Sequence, residues 1–171
     1  MEAVPTGMMS AMRLHHELAY DAPPDVVRAM LTDPLFWDRV ADATGALSST
    51  ATVDVEATTT RVVVDQEQRV VGVPSFAKKF VGDSTRAITT QAWQGNQATY
   101  VVETPGKPTS ISGTATLAEN GAGSTLTYDL EVKASVPLVG GKLEKLVVQL
   151  TTEGFEKEQT VGAAWLAGGD R

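Results

Sequence analysis

The stretch "VPLVGGKLEKLV" (residues 136–147) marks a change in the periodicity of the chain. Before Pro137, apolar and polar residues alternate over most of the sequence, which is typical of β-strands. After it, apolar residues recur every three or four positions, which predicts a helix reaching Trp165. At a rise of about 1.5 Å per residue, a helix over 143–165 would be about 34 Å long, enough to cross a whole sheet. Gly140 and Gly141 are expected to end the strand region and let the chain turn.

The predicted stripe of this last helix decides which side chains face the sheet. Leu146 and Ala164 widen the stripe, and Glu144 is expected away from its centre. The stripe itself consists of Leu143, Val147, Leu150, Gly154, Val161 and Trp165.

The middle of the chain predicts a run of antiparallel strands rich in threonine and valine. They are expected near residues 47–57, 60–71, 84–94, 97–104, 109–119 and 123–135. The stretches "QGNQ" (94–97), "PGKP" (105–108) and "ENGAG" (119–123) carry the Gly, Asn and Pro residues that hairpin turns need. The turn at 57–60, "ATTT", has no glycine.

The N-terminal part predicts one strand followed by two short helices. "MRLHHELAY" (12–20) alternates like a half-buried strand. The next helix has Pro23 and Pro24 at its start, where a missing N–H costs nothing. Asp33-Pro34 separates it from a second helix that ends near Gly45. The two apolar stripes are expected to contain Val26, Val27, Met30 and Leu31, and then Leu35, Phe36 and Val40. Residues 1–11 are expected to be a loose tail before a single domain over 12–167.

Composition narrows the classes of partner and compartment. The formal charge is −7, which argues against nucleic acid as a partner because an acidic surface repels phosphates. No apolar run reaches the ~20 residues of a membrane span, so stable membrane insertion is not expected. The chain has no cysteine and its start lacks the pattern of a signal peptide, which favours a cytoplasmic location.

The element order and three local motifs resemble the START-like (SRPBCC) superfamily of birch-pollen allergen and polyketide cyclases. The motifs are "YDAPPDVVRAMLTDPLFWDRV" (20–40), "VPSFAKKFVG" (73–82) and "VPLVGGKLEKLV", and they look most like an actinobacterial family of unknown function within it. Over about 12–166, the resemblance implies an α+β helix-grip fold. In this fold a curved antiparallel sheet of about seven strands wraps around a long C-terminal helix, with two short helices after the first strand.

The resemblance also implies an apolar cavity between the sheet and the last helix. Members bind lipids, sterols, polyketides or plant hormones there, and some catalyse cyclisation or dehydration. Many plant members carry a glycine-rich loop between the second and third strands. This chain has "ATTT" at that place, so the resemblance does not extend to phosphate-like binding by that loop.

The inward rows of the predicted strands agree with a cavity. Gln66 and Gln68 continue the row of Val62 and Val64, and amides on a core-facing row need partners that a wet or ligand-filled cavity provides. Other inner positions are expected to be small: Thr90, Ala92, Ala98, Gly113, Ala115 and, on the last helix, Gly154. The alternative is that small residues let the helix approach the sheet and that both glutamines lie near an edge in solvent.

A few residues are candidates for chemistry or ligand contact. Neighbouring His15 and His16 point to opposite faces of a strand, so they do not share a metal, and the sequence predicts no metal or cofactor. His16 faces the core side, where a histidine at the edge of the core is the commoner explanation. Glu158 lies at the margin of the helical stripe, which favours a solvated residue over an acid or base at the cavity. Trp93 and Tyr100 are candidates for the cavity wall, although aromatic strand residues are mostly core.

The segment "PSFAKKF" (74–80) predicts one helical turn with Phe76 and Phe80 on one side and Lys78 and Lys79 free. In the folds that the chain resembles, a segment near this place covers the mouth of the cavity, so the resemblance implies that it gates an apolar ligand, contacts the anionic head group of the ligand or touches a membrane. The commoner explanation is a loop anchored by two phenylalanines.

The sequence leaves three functions open, and no catalytic residue is predicted because no nucleophile or phosphate-binding motif occurs. The first is a non-enzymatic binder or carrier of a small apolar or amphipathic, lipid- or polyketide-like molecule. The second is an enzyme of the cyclase or dehydratase type using the same cavity. The third is a protein-interaction module, whose partner the sequence does not name.

Overall fold

The computed structural model describes residues 11–168, so the expected loose tail lies outside the described part of the chain except for Ala11. Within this range the chain forms seven strands and four helices. In chain order these are β1 (Ala11–Tyr20), α1 (Pro24–Leu31), α2 (Pro34–Thr44), β2 (Ser48–Glu56), β3 (Thr59–Arg69), α3 (Ser75–Val81), β4 (Ser84–Gln94), β5 (Gln97–Glu103), β6 (Thr109–Asn120), β7 (Gly123–Ala134) and α4 (Gly140–Leu166).

The strands of residues 11–168 form one antiparallel sheet in the order β1-β7-β6-β5-β4-β3-β2. The first strand pairs with the last, with Leu18 opposite Leu126, while β2 lies at the other edge. Helices α1 and α2 therefore carry the chain from one edge of the sheet to the other. Helix α4 packs across the sheet against β1, β7 and α2. The predicted α+β helix-grip fold is confirmed.

The core lies between the inner face of the sheet and the helices. Leu18, Leu126 and Val132 from the sheet are fully buried, and Phe36 of α2 packs edge-on against Trp165 of α4, with ring centroids 5.8 Å apart. Burying each side chain of this size favours folding by about 1.5–3 kcal/mol before entropy is subtracted. The contact between Phe36 and Trp165 fixes the C-terminal end of α4 relative to α2.

The two short helices begin and end largely as predicted, but their buried faces differ from the predicted apolar stripes. Asp33 caps α2 by accepting a hydrogen bond from the backbone N–H of Leu35 at 2.9 Å. Val26 and Leu35 are exposed, so the prediction that they belong to the buried stripes is wrong. Trp37 takes a buried place instead, and its ring N–H donates to the Leu31 carbonyl at 2.8 Å.

The last helix begins at Gly140, so Gly140 and Gly141 are its first residues and do not end the strand region as predicted. Its buried face is also rotated from the predicted stripe. Leu150 is 44% exposed, whereas Glu144 is buried and accepts a hydrogen bond from the Ala134 N–H at 2.9 Å. The buried positions are Gly140, Leu143, Glu144, Phe155, Glu158, Gly162 and Trp165.

One strand presents the opposite face from the one predicted for its small residues. Gln91 and Trp93 of β4 are buried, so Thr90 and Ala92, which alternate with them, point to the outer face. The prediction of Thr90 and Ala92 as inner positions is wrong. Ala98 and Ala115 are buried as predicted.

Among residues 11–168, two that are not glycine adopt the left-handed backbone conformation. Ala57, in the glycine-free turn between β2 and β3, has φ 55°, and Leu138, just before α4, has φ 71° with its side chain fully exposed. The "ATTT" turn is therefore a tight hairpin despite lacking glycine. A backbone in this region disfavours side chains with a Cβ by about 1–2 kcal/mol.

Candidate functional site

A cavity of about 460 Å³ lies between the inner face of the sheet and helix α4. Its walls come from α2, from β3 and the segment after it, from β4, β5 and β6, and from the middle of α4. The apolar part of the wall includes Trp37, Val40, Val64, Val102, Ile111, Leu143, Val147 and Phe155. This is the cavity that the resemblance implied.

The cavity exists because residues on both of its sides are small. Ala87 and Thr89 of β4 lie in the wall, and opposite them α4 contributes Gly154. A Cβ added at Gly154 would meet nothing within 4 Å. A closely packed core would fill such positions, so the gap between sheet and helix is built into the sequence.

One end of the cavity reaches solvent. Val71, after β3, and Leu150, on α4, both line the cavity and are 68% and 44% exposed. Arg69, Glu153 and Lys157 also combine a place in the wall with an exposed side chain. A ligand entering at this end would pass charged groups before reaching the apolar interior.

The glutamines predicted on β3 lie in the wall and are hydrogen-bonded to protein. The Gln68 amide donates to the Thr44 hydroxyl at 3.0 Å and to the Gln66 side-chain carbonyl at 3.1 Å. Both residues are partly buried. They form a polar strip on an otherwise mainly apolar surface, with hydrogen-bonding capacity left for a bound molecule.

A buried carboxyl group lies in the opposite wall. Glu158 of α4 is 4% exposed, and its Oε2 accepts a hydrogen bond from the Tyr128 hydroxyl at 2.6 Å. Burial raises the pKa of Glu158 to about 8, although the hydrogen bond from Tyr128 acts in the opposite direction. At neutral pH this residue is therefore mainly a neutral carboxylic acid.

Three tyrosines surround Glu158 from different strands. Burial first, and then the nearby Glu158 charge, raises the pKa of Tyr20 on β1, of Tyr100 on β5 and of Tyr128 on β7. The Tyr128 ring stacks on Phe155 at 4.1 Å between centroids. The Tyr20 hydroxyl is buried and makes no hydrogen bond within residues 11–168. The side chain that acts on the pKa of Glu158 is the phenol of Tyr128, and no cation of residues 11–168 contributes to it.

Five of the nine residues proposed from the sequence lie in the cavity wall: Gln66, Gln68, Tyr100, Gly154 and Glu158. The preference for a solvated Glu158 is wrong, because the rotation of α4 turns this residue inward. The other four lie elsewhere. Trp93 is buried and donates to the Gln91 side chain at 2.9 Å, and His16 stacks on the ring of Phe155 at 5.7 Å.

Phe76 and Phe80 belong to helix α3, which forms as predicted. Both rings pack in a second apolar cluster with Ala77, Leu143 and Val136, and neither ring is part of the cavity wall. The lysines predicted to be free each have a contact. Lys78 pairs with Asp83 at 3.1 Å, and Lys79 lies 5.3 Å from the centroid of the Phe80 ring. Helix α3 reaches the cavity through Val81 and, just before the helix, Val73.

The histidines point to opposite faces of β1 as predicted. His15 is exposed and hydrogen-bonded to Asp129 at 2.6 Å, which raises its pKa, while His16 faces α4. Within residues 11–168 no three His, Cys, Asp or Glu side chains are placed to hold a metal ion.

Of the residues around Glu158, Tyr100 was proposed from the sequence as part of the cavity wall. Tyr20, Tyr128, Phe155 and Gly162 were not predicted as parts of the site. The spacing of Phe155, Glu158, Gly162 and Trp165 by three, four and three positions contained the signal. It was weak because the two middle members of that series are not apolar.

Comparison with known proteins agrees with this geometry. The model of a family described as "Protein of unknown function (DUF2505)" matches residues 15–166. The chain belongs to this family. A search among curated proteins found no match to this DUF2505 member. None of the helices in residues 11–168 is both long and apolar enough to cross a membrane.

Solved structures share the fold of the DUF2505 chain at low sequence identity. TTHA0849 from Thermus thermophilus has 20% identity and a TM-score of 0.63, covering 93% of this chain and 100% of its own. The ZhuI aromatase/cyclase from Streptomyces sp. R1128 has 13% identity and a TM-score of 0.62, with 94% and 100% covered. A STAR-related lipid transfer protein from Xanthomonas axonopodis has 17% identity and a TM-score of 0.54, with 90% and 84% covered. These likenesses show that the chain shares its fold with the three proteins.

Proposed function

We propose that the protein binds or carries a small apolar or amphipathic molecule, lipid- or polyketide-like, without catalysing its conversion. The observation that carries this proposal is the cavity of about 460 Å³ between the sheet and α4, open at one end. Its volume lies in the range of about 300–1,000 Å³ that is typical of small-molecule sites. Apolar walls with a few polar groups match a mainly apolar ligand.

The similar structures support this assignment in a general way. One is described as an aromatase/cyclase and another as a lipid transfer protein, so the shared fold is compatible with small hydrophobic ligands. Burial of apolar ligand surface would supply most of the affinity, at about 25 cal/mol per Å². The polar strip of Gln66 and Gln68 and the carboxyl group of Glu158 would orient the ligand.

Native mass spectrometry of the protein purified from its host, followed by organic extraction, tests the proposal. Gly154→Phe places a ring in the open space of the cavity wall. The matched control, Gly141→Phe, adds the same ring at an exposed position of α4 where a Cβ also meets nothing within 4 Å. We expect a stoichiometric adduct on the wild-type chain and on the control variant, and its loss from Gly154→Phe.

Other outcomes would redirect the assignment. An adduct that Gly154→Phe retains would place the ligand outside the cavity and contradict the proposal. Conversion of a supplied polyketide-like compound in proportion to the amount of protein would favour the cyclase alternative. A bare wild-type mass together with a co-purifying protein would favour the interaction module.

A further inference from the structure

We propose that Glu158 is the polar anchor of the cavity and that, as a neutral carboxylic acid, it donates a hydrogen bond to a carbonyl oxygen of an uncharged, mainly apolar ligand. The inference rests on the proposed binding function and adds to it the chemical class of the ligand. It concerns the buried carboxyl group in the cavity wall.

The hydrogen bonds of the carboxyl group leave one oxygen for a ligand. Glu158 lines the cavity, and its Oε2 accepts the 2.6 Å bond from the Tyr128 hydroxyl. Within residues 11–168 this is the only hydrogen bond that the carboxyl group makes. Because Tyr128 donates to Oε2, the acidic proton belongs on Oε1, where it can be donated into the cavity.

The surroundings keep the carboxyl group neutral. The titratable side chains facing it from the packed strands are Tyr20, Tyr100 and Tyr128, and all three are phenols whose own pKa values are raised by burial. His16 of β1 faces the neighbouring turn of α4, where its ring stacks on Phe155. On α4 itself, Glu153 and Lys157 are exposed at the cavity mouth. A buried anion without a cation beside it is costly, which agrees with a Glu158 pKa of about 8.

A neutral acid in an apolar wall selects for an acceptor oxygen. Ketones, aldehydes and esters present one without bringing a charge into the cavity, whereas a ligand carboxylate would have to be buried beside Glu158 without a cation to offset its charge. An apolar molecule lacking an acceptor would leave the acid proton unpaired, which costs affinity. The cavity should therefore prefer an apolar carbonyl compound to the same molecule without its carbonyl group.

A pair of fluorescent probes tests this preference. The neutral ketone prodan, 6-propionyl-2-(dimethylamino)naphthalene, is compared with N,N-dimethyl-2-naphthylamine, which lacks the carbonyl group. Both are titrated at about pH 6.5 and about pH 9.5, with circular dichroism confirming the fold at each pH. With a pKa of about 8, only about 3% of the carboxyl group stays protonated at the higher pH. We expect prodan to bind more weakly there by up to about 30-fold, the limit reached when the ionised form does not bind it, and the naphthylamine to bind equally at both.

Three variants assign the effect to Glu158. Glu158→Gln keeps a donor that does not titrate, so prodan should stay preferred while the pH dependence disappears. Glu158→Leu removes the donor and should abolish the preference for prodan. Glu156→Gln, at an exposed position of the same helix outside the cavity wall, should behave like the wild type. If Glu158→Leu does not fold, the Glu158→Gln variant alone tests the assignment: a prodan affinity that no longer depends on pH would support Glu158 as the titrating donor.

The results that would contradict the role of Glu158 differ from those that would contradict the proposed binding function. If both probes bind with similar affinity and Glu158→Gln does not alter the pH profile, the anchor is wrong while the cavity function stands. Tighter prodan binding at the higher pH would also overturn the anchor, because the ionised form would then be the preferred partner. If neither probe binds at either pH, the proposed function fails, and the anchor with it.

Discussion

At the residue scale, the buried carboxyl group of Glu158 affects both the stability of the fold and the polarity of the cavity. The same burial that makes it a candidate hydrogen-bond donor makes its ionisation unfavourable, and its neighbours Tyr20, Tyr100 and Tyr128 carry no charge to offset this. Its hydrogen bond with Tyr128 joins α4 to β7 at the centre of the structure. A change in its protonation should therefore affect the whole domain.

The folded protein should lose stability as the pH rises from about 4.5 to about 8. In this window native Glu158 keeps a proton that the unfolded chain has released, because its folded pKa is raised from 4.5 to about 8. The free energy of unfolding then falls by up to about 1.4 kcal/mol per pH unit from this group. Glu158→Gln should remove this contribution, so the difference in unfolding free energy between variant and wild type should shift in favour of the variant as the pH rises.

Urea unfolding at about pH 5.5 and about pH 8 measures this difference. Glu153→Gln serves as the control, since an exposed carboxyl group of the same helix should leave the pH profile as it is in the wild type. A variant-to-wild-type difference that is equal at both pH values would contradict a raised pKa for Glu158.

Some residues of the site could be predicted from the sequence and others could not. Gln66 and Gln68 were predicted in the wall because strand alternation assigns their face directly. Glu158 was predicted at the margin of the apolar stripe of its helix, since a buried acid carries no apolar signal and its partner Tyr128 is 30 residues away. Contacts between distant residues of this kind require the tertiary structure.

At the element scale, two glycines of α4 have opposite roles. Gly162 is buried against Tyr20, and a Cβ there would lie 2.5 Å from a ring carbon of that tyrosine. Gly154 faces the open cavity, where an added Cβ meets nothing within 4 Å. One glycine lets the helix approach β1, and the other leaves space for a ligand.

Replacing each glycine by alanine should change stability in opposite directions. Gly162→Ala should lower the free energy of unfolding by about 1–3 kcal/mol, because the added methyl group overpacks the contact with Tyr20. Gly154→Ala should raise it by about 0.5–1 kcal/mol, since alanine is the better helix former and the methyl group meets no neighbour. Thermal and urea unfolding of the two variants check both signs. A stabilising Gly162→Ala would contradict the close approach of α4 to β1.

The sequence predicted the boundaries of the helices and strands better than it predicted which face of each element is buried. All the predicted strands and the order of elements are present, because alternation and turn residues are local signals. The buried face of α4 is rotated from the predicted one. Gly162 and Glu158 belong to the buried face but are not apolar, whereas Leu150 is apolar but exposed, so the apolar pattern indicated the wrong face. On β4, Gln91 is buried between two residues that were assigned inward, so its polarity concealed the correct alternation.

At the scale of the whole molecule, α4 packs on β1, β7 and α2 and is separated from β3 to β6. Trp165 packs on Phe36 of α2 near the C-terminal end of α4, and Leu143 packs with the second apolar cluster around α3 near its N-terminal end. Between them the small residues of β4 and Gly154 leave the cavity. The resemblance implied a cavity in this place, but which residues form its walls depended on the rotation of α4.

The most direct test of the central claim, a ligand held between the sheet and α4, is a titration of the ¹⁵N-labelled protein with prodan followed by two-dimensional NMR. We predict saturable shifts of the Gly154 and Phe155 amides in the cavity wall. The amides of Gly141, exposed on the same helix, and of Gly95, in the turn after β4, should stay in place. Shifts confined to the outer face of the sheet, or no saturable shift at Gly154, would contradict the account.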